Sequence, residues 1–376
     1  MRALLLTIVL LPAAFAAHLT RADLMTTDQR IAECQKAVAA APDAEALENL
    51  ASAYLQKMRE TTDFSYVDRA EKLVAQALAR KPSDLEALIL SNQIELNRHH
   101  FKQVVANTTV LVKTTPGDAR LWGMMGDSLM EIGDYDRAAD AYEQMLRLRP
   151  GLSSYNRVAW YRFVTGDADG AIRAMRQAVH VAGATPENLA WCLVDLGNLY
   201  FKTGKLAEAE ASFQAALDVF PHYHPAFAGM GRVEAARGQT AQAIASYSRA
   251  QAIVPLPDYA GALRELYLQQ GDSAQARAQE ALLDVVDRLA RANFENTDRN
   301  LAIVLADEQR HLDRALELAR NELNFRRDVY TYDALAWVLY RNGQCAEAKE
   351  ADAKALAQHT PEPAFARHAA AIAGCR

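Results

Sequence analysis

Three sets of residues in this chain recur at one interval, and that interval is about 34 residues. Pro82, Pro116 and Pro150 are 34 apart, as are Pro221 and Pro255. Gly133, Gly166, Gly204, Gly238 and Gly271 step by 33, 38, 34 and 33. A third register, Ala70, Val104, Ala138, Ala171, Ala209, Ala243, Ala276, Ala315 and Ala348, steps by 34, 34, 33, 38, 34, 33, 39 and 33. A length of 376 residues would by itself suggest two or three globular domains. A repeat of roughly 20–50 residues replaces that expectation with a row of stacked supersecondary units.

The chemistry inside one period explains the spacing. Trp122, Met125, Gly126 and Leu129 fall at i, i+3, i+4 and i+7, one face of a helix. Gly133-Asp134 ends that helix, and Ala138, Tyr142 and Met145 form the apolar stripe of a second one, which Pro150 stops. Gly126 and Ala138 are small because the two axes approach closely where they cross. Neither helix can hide its stripe within one unit, so neighbouring units must stack. Composition agrees: 51% of residues are hydrophobic, while Gly (17) and Pro (12) are scarce, which favours helix over turn-rich sheet.

These residues resemble the tetratricopeptide repeat, whose pattern is Trp-x2-Leu-Gly-x2-Tyr, then Ala-x3-Phe, then Pro. One unit reads Trp122, Met125, Gly126, Leu129, Ala138, Tyr142, Pro150. The next clear copies are Leu193, Leu196, Gly197, Tyr200, Ala209, Phe213, Pro221 and Phe227, Met230, Gly231, Glu234, Ala243, Tyr247, Pro255. The resemblance implies an all-α fold, a right-handed superhelical solenoid of antiparallel helix pairs. The repeats run over 44–362 as about nine units: 44–84, 85–118, 119–152, 153–185, 190–223, 224–257, 258–290, 296–328 and 329–362. A capping helix near Thr27 to Ala41 lies in the segment 17–43, and another, near Ala364 to Ala373, in 363–376. No room remains for a separate catalytic domain.

Departures from the pattern carry local expectations. The second unit has Asn92 and His99, and the eighth Ile303 and Arg310, where glycines belong, so both units should be distorted. Seven extra residues around Met58 to Tyr66 should bulge at the first unit's turn. Gln275 to Asn293, without Gly or Pro, reads as an over-long second helix.

The first residues have the layout of a secretory signal. Met1 and Arg2 give a positive end, Ala3 to Leu11 an apolar run, and Ala14-Phe15-Ala16 the small residues of a cleavage site, so residues 1–16 are expected to be removed. The apolar stretch from Ala3 to Ala17 contains Pro12 and is shorter than the roughly 20 residues that span a bilayer. No transmembrane segment is expected in the mature chain, which should be periplasmic or extracellular.

Motifs for catalysis are missing from the sequence: no G-x-x-x-x-G-K-[ST], no G-x-S-x-G and no H-E-x-x-H occurs. His222 and His224, in the turn between two units, could contribute two metal ligands to a hydrolase, but no third ligand follows at a suitable spacing. No cofactor, no metal and no catalytic residue is therefore expected. Lys+Arg 41 against Asp+Glu 47 leaves −6, with no basic stripe, which argues against a nucleic-acid partner. Cys345 opens the second helix of the last unit and Cys375 ends the terminal helix running antiparallel to it, so these two are expected to pair in an oxidising compartment, leaving Cys34 and Cys192 free.

The resemblance also implies a task. In the family, the first helix of each unit lines a concave wall that binds a protein or peptide. Carried over, the wall positions are Arg120, Asp127 and Glu131 in the third unit and Trp160 and Phe163 in the fourth. Trp191, Val194, Asn198, Phe201 and Lys202 supply the fifth, Arg232 the sixth, and Tyr330, Trp337, Tyr340 and Arg341 the ninth. Aromatic side chains beside Arg and Asn suit a binding surface. The Lys/Asn carboxylate clamp of some members is not expected, because Val194, Pro225 and Gly229 stand where its basic residues would be. The sequence thus points to an exported, non-enzymatic adaptor, for which the resemblance implies a setting within an envelope assembly, with a metal-dependent hydrolase using His222 and His224 as the alternative.

Overall fold

A computed structural model describes residues 25–182, 186–292 and 299–376; among them are twenty α-helices and no strand. The expected signal segment lies outside the described residues. α1 (Thr27–Ala40) is started by a capping box between Thr26 and Gln29. Nine pairs follow: α2 (Ala44–Thr61) with α3 (Ser65–Arg80), α4 (Leu85–Asn97) with α5 (Phe101–Thr114), α6 (Ala119–Glu131) with α7 (Tyr135–Leu148). Then come α8 (Leu152–Val164) with α9 (Ala168–His180), α10 (Pro186–Lys202) with α11 (Leu206–Val219), and α12 (His224–Ala236) with α13 (Thr240–Ile253). The last three are α14 (Pro257–Gln269) with α15 (Ser273–Ala292), α16 (Arg299–Asp307) with α17 (Leu312–Glu322), and α18 (Val329–Arg341) with α19 (Cys345–Ala355). α20 (Pro363–Ala373) closes the row.

Local chemistry sets the helix ends. Asp84, Asp118 and Asp167 accept hydrogen bonds from backbone N–H groups at the starts of α4, α6 and α9. Within a pair the small residues have the expected effect: a Cβ on Gly197 would sit 2.6 Å from the Phe213 ring. First helices of neighbouring units pack on one another, α2 on α4, α4 on α6, α6 on α8, and α16 on α18. They therefore occupy the inside of the curve, where the spacing is shortest.

Three expectations about departures need correcting. The seven extra residues of the first unit do not bulge; they lengthen α2 and α3, and only residues 62–64 form the turn, with Thr62 left-handed at φ 54°. The second unit is not distorted. His99 takes the left-handed conformation (φ 61°) that glycine takes elsewhere, and buried Asn92 donates to the Leu88 carbonyl at 2.8 Å and accepts from Asn107 at 3.0 Å. In the eighth unit the left-handed residues are Gln309 (φ 53°) and His311 (φ 47°), not Arg310, and fully buried Ala302 stands in the small-residue position instead of Ile303. The turn there is one residue longer than in the third unit, which displaced the register read from the sequence. The long helix α15 forms as expected.

The apolar core is segmented. One cluster runs through units three to five, from Met125 through Tyr142, Phe163, Met175 and Phe213, and reaches Val233 in unit six. It also takes in Val329 and Phe365, from far along the chain. A second cluster joins Ala260 and Leu283 to units eight and nine and to Ile372 of α20. Cys345 and Cys375 are joined by a disulfide, with their Cα atoms 5.6 Å apart, which ties α20 to α19.

Candidate functional site: the inner wall

The inner wall has two parts with different fates. Along units two to five, the turns joining paired helices meet the turns that lead into α18 and α20. Arg327 donates its backbone N–H to the Glu131 carbonyl at 2.8 Å, and Val329 donates to the Tyr135 hydroxyl at 2.9 Å. Thr360 donates its hydroxyl to the Val164 carbonyl at 2.5 Å. Two ion pairs lie in the same seam: Arg326 Nε with Glu131 at 2.6 Å and Lys202 Nζ with Glu362 at 2.6 Å. Trp160 stacks on Tyr330 with ring centres 5.5 Å apart, and Arg326 lies over Phe101. Val329 and Phe365, each 2% exposed, complete the core around Phe163. The glycine at the third unit's turn is required twice over, since its φ is 78° and a Cβ would sit 2.5 Å from the Arg327 carbonyl oxygen.

The residues expected to face a partner are therefore placed as follows. Arg120 is paired with Glu86 and Asp118, and Asp127 accepts from Tyr142 and from both Nε and Nη2 of Arg157. Glu131, Trp160, Lys202 and Tyr330 form the seam. Phe163 is fully buried and Val194 buried, so both serve the core. Phe201 is half-buried against that core, and Arg232 donates to Asn198 at 2.5 Å while lying over Phe213. Trp191, 39% exposed, is the most open of the set in unit five. Burial lifts the Glu131 carboxyl above its usual range, with Arg326 opposing, and pushes Asp195 on α10 up to about 7.

Beyond the seam, a cavity of roughly 200 Å³ opens between α16, α18 and α20. Beside it, Trp337 donates its indole N–H to Asp307 at 2.7 Å and stacks on Tyr340 and on His368, the latter with ring centres 4.3 Å apart. Arg341 lies over Trp337 and donates to the Ala306 carbonyl. His368 Nδ1 is 3.0 Å from both carboxylate oxygens of Asp333, and burial raises the Asp333 carboxyl while the imidazole opposes that shift.

A tetratricopeptide repeat family model matches residues 124–188 and 194–256. Its two matches and the nine helix pairs agree. Over those residues the chain is built of tetratricopeptide repeats. It is 26% identical over 164 residues to Protein FlbA of Caulobacter vibrioides, covering 41% of this chain and 26% of FlbA. Among solved structures it resembles the APC/C hetero-tetramer Cut9–Hcn1, with 15% identity and a TM-score of 0.53 over 86% of this chain and 55% of that one. It also resembles the human IFIT1 dimer with PPP-AAAA, with 14% identity and a TM-score of 0.50 over 89% of this chain and 87% of that one. The chain spans about a quarter of FlbA and about half of the Cut9–Hcn1 chain. At these identities the structural likeness speaks for the fold.

As a metal site, the His222 and His224 pair fails on geometry. His224 is buried with Nδ1 2.8 Å from the Tyr259 hydroxyl, and burial holds it down at about 4, whereas His222 is exposed. Among the described residues no group of three or more His, Cys, Asp or Glu side chains is arranged to hold a metal ion. Sequence reading missed Asp333, His368, Arg299 and Arg367. The last unit's wall positions were named, but α20 lies outside the repeat and unit eight was read one residue out of register. The seam contacts, 160 to 225 residues apart in the chain, have no trace in a 34-residue period.

Proposed function

We propose that this protein is an exported, non-enzymatic adaptor that holds a protein or peptide on the inner wall of units eight and nine and α20. The observation that carries this reading is the cavity between α16, α18 and α20, beside which Trp337 stacks on the lining His368, whereas the wall of units two to five is in part engaged by the chain's own later turns. Concave, mostly apolar sites with a few polar groups are where ligands bind. The IFIT1 structure holds PPP-AAAA, but here Arg120, Arg157, Lys202 and Arg326 each face a carboxylate, so a peptide is favoured over nucleic acid. Export is supported by the signal layout of residues 1–16 and by the disulfide, which persists in oxidising compartments.

Crosslinking and pull-down from the native envelope, comparing Tyr340→Ala with Trp191→Ala, test the location. Tyr340→Ala should lower partner recovery by tenfold or more and Trp191→Ala should not; the reverse result places the partner at unit five and ends this reading. N-terminal sequencing of the mature protein should start at Ala17.

A further inference from the structure

We propose that the junction between units one and two is a second recognition site, one that takes an arginine side chain presented by a partner. It lies at the other end of the row from α20 and goes beyond the adaptor reading, so either can fail alone.

Glu48, on α2, is only 8% exposed, and its Oε1 is sealed from solvent without a hydrogen-bond partner. The charges facing it are mostly of its own sign. The Asp84 carboxyl, which caps α4, lies against it, Glu86 in the first turn of α4 adds a further negative charge, and Lys81 is the cation nearby. Lys81 is already engaged, with Nζ on Asp84 Oδ2 at 2.8 Å. The other Asp84 oxygen accepts from the Glu86 and Ala87 N–H groups at 3.0 and 3.4 Å. Burial first, then Asp84 and Glu86, push the Glu48 carboxyl up to about 7. A carboxylate so buried and unpaired costs stability unless a cation completes it.

The next junction along the row shows which cation is missing. There Asp118 caps α6 as Asp84 caps α4, 34 residues earlier. Arg120 forks between two carboxylates at that place: Nε and Nη2 donate to Asp118 at 3.1 and 2.8 Å, and Nη1 donates to Glu86 at 2.6 Å. The residue 34 places before Arg120 is Glu86. At the first junction, therefore, two carboxylates are present and a third acid stands where the guanidinium belongs. The Lys81 and Glu86 side chains, 65% and 44% exposed, leave this place open to a side chain from outside. A planar guanidinium has donors for both Glu48 and Asp84, whereas an ammonium is a single point of charge. A metal ion suits the place less, since among the described residues no three His, Cys, Asp or Glu side chains are arranged to hold one.

Three acetylated, amidated pentapeptides test the site, each with alanines around one central residue: arginine, lysine, or citrulline, the neutral isostere of arginine. Binding to the full chain is read from the backbone amide NMR signals of residues 84–87. The arginine peptide should shift those signals and bind tenfold or more tighter than the citrulline peptide, with the lysine peptide between them. Glu48→Gln, which keeps the shape and removes the charge, should weaken arginine-peptide binding tenfold or more while the helical circular dichroism is unchanged. Glu86→Arg should supply the guanidinium from within and abolish binding; if Glu48→Gln does not fold, this variant decides alone. Equal binding of the citrulline or the lysine peptide, an unchanged affinity in either variant, or no shift at residues 84–87 overturns the proposal. Tyr340→Ala should leave arginine-peptide binding as it is, so its effect on partner capture bears on the adaptor reading alone.

Discussion

The inner wall of units three to five and the inner wall of the last two units begin from the same kind of helix at the same repeat positions, and they end differently. In the first, Glu131, Trp160 and Lys202 are engaged by Arg326, Tyr330 and Glu362 of the same chain, with Trp160 still 40% exposed. In the second, a cavity whose third side is α20 lies beside Trp337, which stacks on the lining His368 and on Tyr340. The side chains that suit a partner also suit the chain's own next turn: aromatic rings and opposite charges bind either. What separates the two is how far along the row a unit stands. Among the described residues, units two to five meet the turns that lead into α18 and α20, and unit nine meets α20.

The comparison can be broken most forcefully at Phe163, which is fully buried where the seam joins the main core. Phe163→Ala should cost about 3–5 kcal/mol, read by denaturant unfolding. Next comes the staple on the open side. Its loop of 30 residues predicts a loss of about 3–4 kcal/mol in Cys345→Ser, together with faster hydrogen exchange confined to α20. A smaller effect isolates the seam's charges. Glu131→Arg should destabilise by about 1–2 kcal/mol, and adding Arg326→Glu should recover most of it; independent, additive losses would show that the pair is not coupled.

The smallest effect is a pH dependence of the seam. His99 is held down at about 4, first by burial and then by Arg326 and Arg299, while its unfolded value is near 6.5. Its folded form is therefore the neutral one. The contribution is fully present above pH 6.5 and is lost as pH falls toward 4, because the unfolded chain binds the proton first. A plot of melting temperature against pH should be flatter over that window in His99→Gln than in the parent.

Much of this architecture could be read from 376 letters, because the repeat is a local rule applied many times. Pro, Gly and small residues at fixed offsets mark where helices stop and where they cross, and each unit restates the pattern, so errors average out. Reading failed where a single residue shifted the offsets, as at Gln309 and Ala302. It also failed at seven extra residues, which could be accommodated by longer helices at less cost than by an unsupported loop. The wall positions of the ninth unit were legible because the pattern is local. Their neighbours His368 and Arg367 were not, since α20 repeats nothing. Nor could a period reveal that Thr360 meets Val164, for that contact depends on the summed rotation of every unit between them.

That last contact gives the row a fixed count. In an ordinary linear array one module can be inserted or deleted and the others barely notice, because each touches only its neighbours. Here a module added between Val164 and Thr360 would carry the later turns past their docking places, and a module removed would leave them short. Shortening from the carboxyl end would strip the cover from the fourth unit and expose Phe163. Such a chain should lose structure over most of its length at once, and gradual evolution by duplicating modules would be confined to whatever lies outside the closed loop.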